Sequence, residues 1–210
     1  MTLRHYIPLA ALMLSASLAE PAAALEICHT PTPNPAALTE RAEAAGFAAL
    51  PTGADLPPLV AERLPWVLAQ TYLAGDSGGQ SLDGVMASQS MSARGMVRLA
   101  PSDTASTRVV FDAQTVAVLR WVKWVPGEVM ITCVSAHFTA SDAPQSAEPT
   151  TTYRYGILTS TALDPAPART RVRLNQFDVD RAAILADLPG SNPPHALLSV
   201  EMRYNPEVSQ

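Results

Sequence analysis

The chain has 210 residues, of which 48% are hydrophobic and 16% charged, and its formal net charge at pH 7 is −5. This length suits one domain with a sizeable hydrophobic core. The acidic balance argues against a nucleic-acid partner, because the only local basic stripe is Arg169, Arg171 and Arg173.

The N-terminal segment, residues 1–24, has the pattern of a secretory signal peptide. A basic start at Arg4 precedes an apolar run over 7–19, and small residues then allow cleavage after Ala24. Cleavage after Ala19 is the alternative. The apolar run is too short to span a membrane, which takes about 20 apolar residues.

The mature chain, 25–210, is therefore expected to be one exported globular domain in the periplasm of a bacterium, without a transmembrane segment. Its two cysteines, Cys28 and Cys133, predict a disulfide, since exported chains with few, paired cysteines are usually bridged. A zinc site would need paired CxxC spacing, which is missing, so no metal is predicted there. Lipid attachment at Cys28 conflicts with Glu26 and Ile27, which precede it.

Helix signals dominate the N-terminal third of the mature chain. Asn34 is an N-cap before a proline and predicts a helix that stops at Gly46. Asp55 is the expected cap of a second helix over 56–73, which Pro65 should kink or split. The glycine- and serine-rich stretch that follows predicts a loop.

Residues 85–100 allow either a helix or a strand. Serines alternate at Ser88, Ser90 and Ser92, which favours a strand. We therefore predict a strand over this stretch.

The remaining chain has the composition of a β-sheet. Branched and aromatic residues predict strands over 107–113, 115–125, 128–138, 153–163, 169–177 and 196–204. Pro126 and Gly127 mark the strongest hairpin, and Cys133, Ser135 and His137 should share one face of its second strand.

Two connections complete the predicted β half. A polar loop is expected over 139–152. A short helix is expected over 179–187, capped by Asp178. The fold class predicted from these elements is α+β, a single domain in which N-terminal helices pack on a mainly antiparallel sheet of five to seven strands.

Residues 75–79, GDSGG, resemble the loop around the nucleophilic serine of chymotrypsin-like proteases. The resemblance implies Ser77 as nucleophile and His137 as its base. It covers five residues only: in that family the histidine precedes the serine, the domain is built of β-barrels, and a proline stands where this chain has Gln80. A small serine hydrolase is therefore an alternative, and a flexible loop is the favoured interpretation.

Other candidate groups are scattered. His29, His137 and His195 lack metal-ligand spacing. Three methionines, Met86, Met91 and Met96, are five residues apart. Neither a helix nor a strand would place all three on one side, where they could bind copper together. Trp121 and Trp124 should lie on opposite faces of their strand, and an exposed tryptophan would indicate a binding surface.

The function predicted is an exported, non-catalytic binding or accessory protein of the bacterial envelope, whose partner is an envelope protein or a small ligand. No cofactor is predicted. The alternatives are the serine hydrolase and a periplasmic metal-handling protein that uses methionine and histidine.

Overall fold

A computed structural model describes residues 27–75, 79–140, 150–163 and 170–206 of the chain. Within them, eight strands form one antiparallel sheet in the order β1-β2-β3-β4-β8-β7-β6-β5. The strands are β1 Ala48–Ala49, β2 Ala105–Phe111, β3 Thr115–Val125, β4 Glu128–His137, β5 Thr150–Tyr153, β6 Gly156–Leu163, β7 Arg171–Val179 and β8 Ala196–Tyr204. The helices are α1 Pro35–Ala44, α2 Pro58–Leu68, α3 Gln70–Leu73, α4 Leu82–Met96 and α5 Arg181–Asp187. The predicted signal peptide, 1–24, lies outside the described residues, as does most of the loop predicted over 139–152.

The centre of the sheet follows the sequence pattern closely. β3 and β4 form the predicted hairpin around Pro126 and Gly127, and Gly127 has the positive φ of 79° that favours glycine. β8 covers the predicted segment 196–204. The prediction of Asn34 as a helix cap is also confirmed, because its side chain accepts a hydrogen bond from the Ala37 N–H at 2.9 Å.

The predicted fold class is wrong in its strand number and in its helix placement. The sheet has eight strands rather than five to seven. Sequence reasoning missed β1, which is only two residues long, and it missed β5, because it assigned 150–152 to the polar loop and began a single strand at 153. Residues 150–152 therefore belong to a strand and not to the predicted loop. The helices are not simply N-terminal, since β1 separates α1 from α2 and α5 lies between β7 and β8.

The strand predicted over 85–100 is wrong, because most of this stretch belongs to α4. Ser81 caps this helix by accepting a hydrogen bond from the Gly84 N–H at 3.2 Å. Within the helix, the hydroxyls of Ser90 and Ser92 donate to backbone carbonyls four residues earlier, at 2.8 and 3.1 Å. Such back-bonding lets serine sit in a helix, so the serine alternation carried no information about strands.

Pro65 lies inside α2, and the predicted second helix is split at Ala69 into α2 and α3. Asp55 does not cap it, because the N-cap residue is Pro57. The cap of α5 is Asp180, which accepts from the Ala183 N–H at 3.0 Å, two residues after the predicted Asp178.

Helices cover both faces of the sheet. The first, here called the cysteine face, carries Cys133, Leu119 and Val200 and packs against Leu38 and Ala42 of α1. The opposite face, here called the helical face, packs against the four other described helices through these side chains: Val60, Leu64, Leu73, Val85 and Ile184. Because both faces are covered, central strand residues are buried in unbroken runs, as over 115–119 of β3.

The segment before α1 is held onto the cysteine face by several contacts. Cys28 and Cys133 lie within disulfide distance, with Cα atoms 6.1 Å apart, which suits a bridge. Arg41 donates hydrogen bonds to the carbonyls of Ile27, Thr30 and Pro31 at 3.0, 2.7 and 3.3 Å.

At the end of β8, on the same face, Tyr204 and Thr32 are both buried and hydrogen-bond to each other. The N-terminal segment is thereby tied to the last strand as well as to β4. Among the described residues, no helix is long and apolar enough to cross a membrane.

We expect the protein exported to an oxidising compartment to carry no free thiols at Cys28 and Cys133. A bridge across 105 residues should stabilise the fold by roughly 4–5 kcal/mol, because it restricts the unfolded chain. Thiol alkylation under denaturing conditions checks the bond, and urea unfolding with and without reductant checks its energy. The Cys28→Ser/Cys133→Ser variant is the control, since reductant should not change its stability. Two alkylated cysteines in the exported protein would contradict the bridge.

Candidate functional site

His137, the base proposed for a hydrolase, lies at the end of β4 on the cysteine face. Its Nε2 is 2.9 Å from Ser135 Oγ, so the two side chains share a hydrogen bond two residues apart on one strand. The alternation of β4 predicted that they share a face. Both are only 5% exposed. A substrate therefore cannot reach either side chain without rearrangement of the residues that cover them.

Burial sets the charge of this histidine. It lowers the pKa of His137 from 6.5 to about 4, and the carboxylate of Asp112 opposes the shift only in part. The ring is therefore neutral at physiological pH. A neutral, enclosed imidazole that is already hydrogen-bonded to Ser135 stabilises the polar end of the core.

Ser77, the proposed nucleophile, lies outside the described residues together with Asp76 and Gly78. Its flanks, Gly75 and Gly79, line a cavity of about 440 Å³ with Tyr155 and Asp187. This cavity lies among elements of the helical face, whereas the His137 side chain lies on the cysteine face. The hydrolase alternative stays a prediction.

The cavity beside Gly75 contains a polar cluster of its own. Tyr155 donates a hydrogen bond to Asp187 Oδ2 at 2.6 Å, and Arg154 forms an ion pair with the same carboxylate at 2.8 Å. Burial and the Asp187 hydrogen bond raise the pKa of Tyr155. Each group in this cluster is satisfied by another, which is the arrangement of a structural link between the β5–β6 turn and α5.

The metal alternative also stays a prediction. Within the described ranges, no group of three or more His, Cys, Asp or Glu side chains could hold a metal ion. Met86, Met91 and Met96 lie on one helix, where spacings of five place them on different sides, and Met91 is 68% exposed. The backbone N–H of His195 donates to the carbonyl of His137 at 2.8 Å, so two histidines distant in sequence are neighbours in the fold.

The tip of the β3–β4 hairpin exposes apolar side chains. Trp124 is 52% exposed and Val125 is 47% exposed, and a register shift between β3 and β4 falls at this point. The guanidinium of Arg203 lies 5.5 Å from the centre of the Trp124 ring. The predicted contrast between the two tryptophans is confirmed, because Trp121 is buried.

A hollow of about 600 Å³, here called the tip hollow, adjoins this hairpin. Arg171 of β7 and Arg203 of β8 are directly opposite each other in it. Two like charges at a cross-strand pair repel, and Glu201 forms an ion pair with Arg203 at 2.9 Å. Arg171 has no ion-pair partner among the residues that the structure describes. The side chain of Arg171 is exposed, so its charge faces solvent at the tip hollow.

A second groove, here called the Trp121 groove, lies between the start of α1 and the strands β2 and β3. Its volume is about 620 Å³, and it is lined by Pro33, Asn34, Pro35, Ala36, Thr39, Pro101, Ser102, Asp103, Ser106, Arg108, Trp121 and Lys123. Trp121 is 2% exposed, and its indole N–H has no acceptor among the described residues. An unpaired buried donor costs about 1–3 kcal/mol.

Sequence reasoning did not find either surface. It placed Trp121 and Trp124 on opposite faces of one strand without deciding which is exposed, and it placed Asn34 at a helix start. The neighbours of these residues come from segments far along the chain. The one sequence signal for the tip hollow was Arg171, which belonged to the only basic stripe in the sequence.

No protein-family model, curated protein or solved structure matches this chain. Its function must therefore be inferred from the geometry of the described residues.

We expect the free energy of unfolding to fall as the pH is lowered from 6.5 to 4, because the unfolded chain binds a proton at His137 before the folded chain does. The loss attributable to this group is roughly 3 kcal/mol. In urea unfolding across this range, the free energy of unfolding of His137→Gln should change less with pH than that of the unchanged protein. Ring proton resonances of His137 should titrate near pH 4, and a midpoint near 6.5 would contradict the buried, neutral ring.

Proposed function

We propose that this protein is an exported, non-catalytic binding or accessory protein of the bacterial envelope, located in the periplasm. Its partner is an acidic protein that binds the hairpin tip. The observation that carries the proposal is the exposure of Trp124 beside Arg203. Tryptophan and arginine are the residues most enriched at the energetic centres of protein interfaces.

The apolar part of the surface supports a protein partner. Trp124 and Val125 are adjacent, and each leaves about half of its side chain in water. A half-exposed tryptophan lacks the free energy that burial of its apolar surface would contribute, unless another molecule covers it. The Arg203 guanidinium lies over the ring, 5.5 Å from its centre, and this contact favours the ring position seen here. A favoured ring position lowers the entropic cost of binding.

The charges support an acidic partner. Arg171 and Arg203 line the tip hollow together, and Glu128 is the one carboxylate among its described lining residues. Because Glu201 already pairs with Arg203, a partner carboxylate would bind chiefly to Arg171, from which it could accept bidentate hydrogen bonds. The chain is acidic overall, so the exposed charge of Arg171 also favours one orientation of approach.

We expect a photo-crosslinking amino acid at Val125 to capture one discrete protein in the periplasm of the native host. Adding Trp124→Ala or Arg171→Glu should abolish that crosslink, since these changes remove the anchor or reverse the charge. With the purified partner, Trp124→Ala should weaken binding at least about tenfold by titration calorimetry.

Met91→Ser is the matched control for this experiment. It removes an even more exposed apolar side chain, on α4, and should leave both the crosslink and the affinity unchanged. Two results would show that the hairpin tip is not the binding surface. One is crosslinking that Trp124→Ala leaves unchanged, and the other is crosslinking that Met91→Ser reduces as much as Trp124→Ala does.

The serine hydrolase alternative has a direct test of its own. A fluorophosphonate probe labels activated serines, and we expect no labelling of the purified mature protein. Labelling that disappears with Ser77→Ala and with His137→Gln would establish the hydrolase instead. Labelling that persists in Ser77→Ala and disappears in Ser135→Ala would identify the Ser135–His137 pair as the reactive one.

A further inference from the structure

We propose that the part of the helical face that the described helices leave uncovered, here called the open sheet face, binds an extended acidic segment of the protein partner. This inference rests on the function proposed above and deepens it, because Arg171 and Arg203 of the tip hollow also belong to the open sheet face. It adds the form of the partner, which is a chain segment that crosses four strands with carboxylates on both sides of an apolar residue.

The open sheet face consists of two cross-strand rows on β3, β4, β8 and β7. The first row is Arg120, Thr132, Glu201 and Arg173. The second row lies two residues nearer the hairpin tip and is Val122, Met130, Arg203 and Arg171. None of these eight residues is buried.

The same four strands are buried elsewhere, so the exposure is confined to these two rows. On the cysteine face, the row that lies between them is buried throughout: Trp121, Ile131, Met202 and Val172. On the helical face, the row that packs beneath the helices is also buried throughout: Val116, Ala136, Leu197 and Phe177. Helix coverage therefore stops partway along the strands, and the sheet continues beyond it with one face uncovered.

The open sheet face carries an excess of positive charge. It has four arginines, and Glu201 is its one carboxylate, which leaves a net charge of +3 in a chain whose net charge is −5. Glu201 is paired with Arg203 at 2.9 Å. Arg120, Arg171 and Arg173 are exposed and have no ion-pair partner among the residues that the structure describes. This charge is complementary to an acidic partner.

Apolar side chains on the same face are the second, independent observation. Val122 and Met130 are directly opposite each other on β3 and β4, and both are only half-buried. Trp124 follows two residues after Val122, is 52% exposed and has Arg203 over its ring. A partner that covers these side chains contributes the free energy of their burial, which contact with water alone does not. Apolar and aromatic groups between arginines are typical of protein interfaces.

The spacing of the charges determines the form of the segment. Arg120 and Arg173 lie three strands apart, which is about 14 Å at the usual spacing of neighbouring strands. In an extended chain, side chains four residues apart span about the same distance. A segment that crosses the strands can therefore place one carboxylate at each arginine and an apolar side chain over Met130.

The width of the face favours a segment over a folded domain. Its two rows lie about 7 Å apart along each strand, which is enough for one or two extended chains. A folded partner usually needs about 800 Å² on each side of a stable interface.

The test uses the oxidised, mature protein labelled with ¹⁵N and a synthetic seven-residue peptide with capped ends. The peptide has two glutamates at each end and a leucine at its centre, separated by serines. At low ionic strength it should shift the backbone amide signals of the two rows and leave those of α1 in place, and added salt should reverse the shifts. Replacing its glutamates by glutamines, or its leucine by serine, should weaken binding at least about fivefold.

Arg120→Gln and Arg173→Gln should each raise the dissociation constant of the peptide about fivefold, as expected for loss of one exposed charge contact. Neither residue lines the tip hollow. The matched control is Lys123→Gln, which removes the same charge from the same strand on the opposite, cysteine face. It should leave the dissociation constant unchanged.

Each other outcome overturns the inference. If the peptide shifts no signal of the open sheet face, or if its glutamine version binds equally well, an acidic segment is not the occupant. If the serine version binds equally well, the apolar part of the site is wrong. If Lys123→Gln weakens binding as much as Arg120→Gln, attraction by overall charge replaces the site.

Two other occupants would give results of their own. Vesicles of phosphatidylglycerol that produce the shifts when the peptide does not would identify a membrane surface instead. Shifts that appear when the protein alone is concentrated would identify a second copy of the chain.

Failure of this inference is distinguishable from failure of the proposed function. Loss of the Trp124-dependent crosslink removes the proposed function, whatever the peptide does. If that crosslink stands and the peptide does not bind, only the acidic segment on the open sheet face is wrong.

Discussion

Attachment of the N-terminal segment to the cysteine face is the constraint on which the rest of the structure depends. A sheet with apolar residues on both faces must be covered on both, and four of the five described helices lie on the helical face. Within the described ranges, only α1 and the segment before it cover the other face. Cys28, Arg41 and Tyr204 hold that segment at three places. Both the apolar core around Leu119 and one wall of the Trp121 groove depend on this attachment.

Some buried polar groups of the protein are hydrogen-bonded to each other, and others have no partner. Ser135 and His137 satisfy each other, and burial keeps the histidine neutral, so this pair completes the core. The indole N–H of Trp121 is different, because it is buried and has no partner among the described residues, and the same holds for Thr32 Oγ1, Arg63 Nε and Ser191 Oγ. Native proteins pair most such groups. Arg171 is not one of them, because its side chain is exposed and water can satisfy it.

Sequence patterns predicted the elements whose determinants are local. The cap at Asn34, the hairpin at Pro126 and the strand 196–204 each depend on a few adjacent residues. Patterns failed where another interaction competed. The serines of α4 mimicked a strand, and β1 is too short to have a period at all. The candidate sites could not be predicted, because each joins segments that only the sheet order brings together.

The long sequence separation between Cys28 and Cys133 has a consequence for the order of folding. Contacts between distant residues carry a large loop-closure entropy, and they form once the chain between them is already compact. The segment before α1 hydrogen-bonds to β8 through Thr32 and Tyr204, and β8 is the last strand of the sheet in chain order. This N-terminal segment, which leaves the ribosome early, therefore completes its contacts only after the C-terminal strand has joined the sheet.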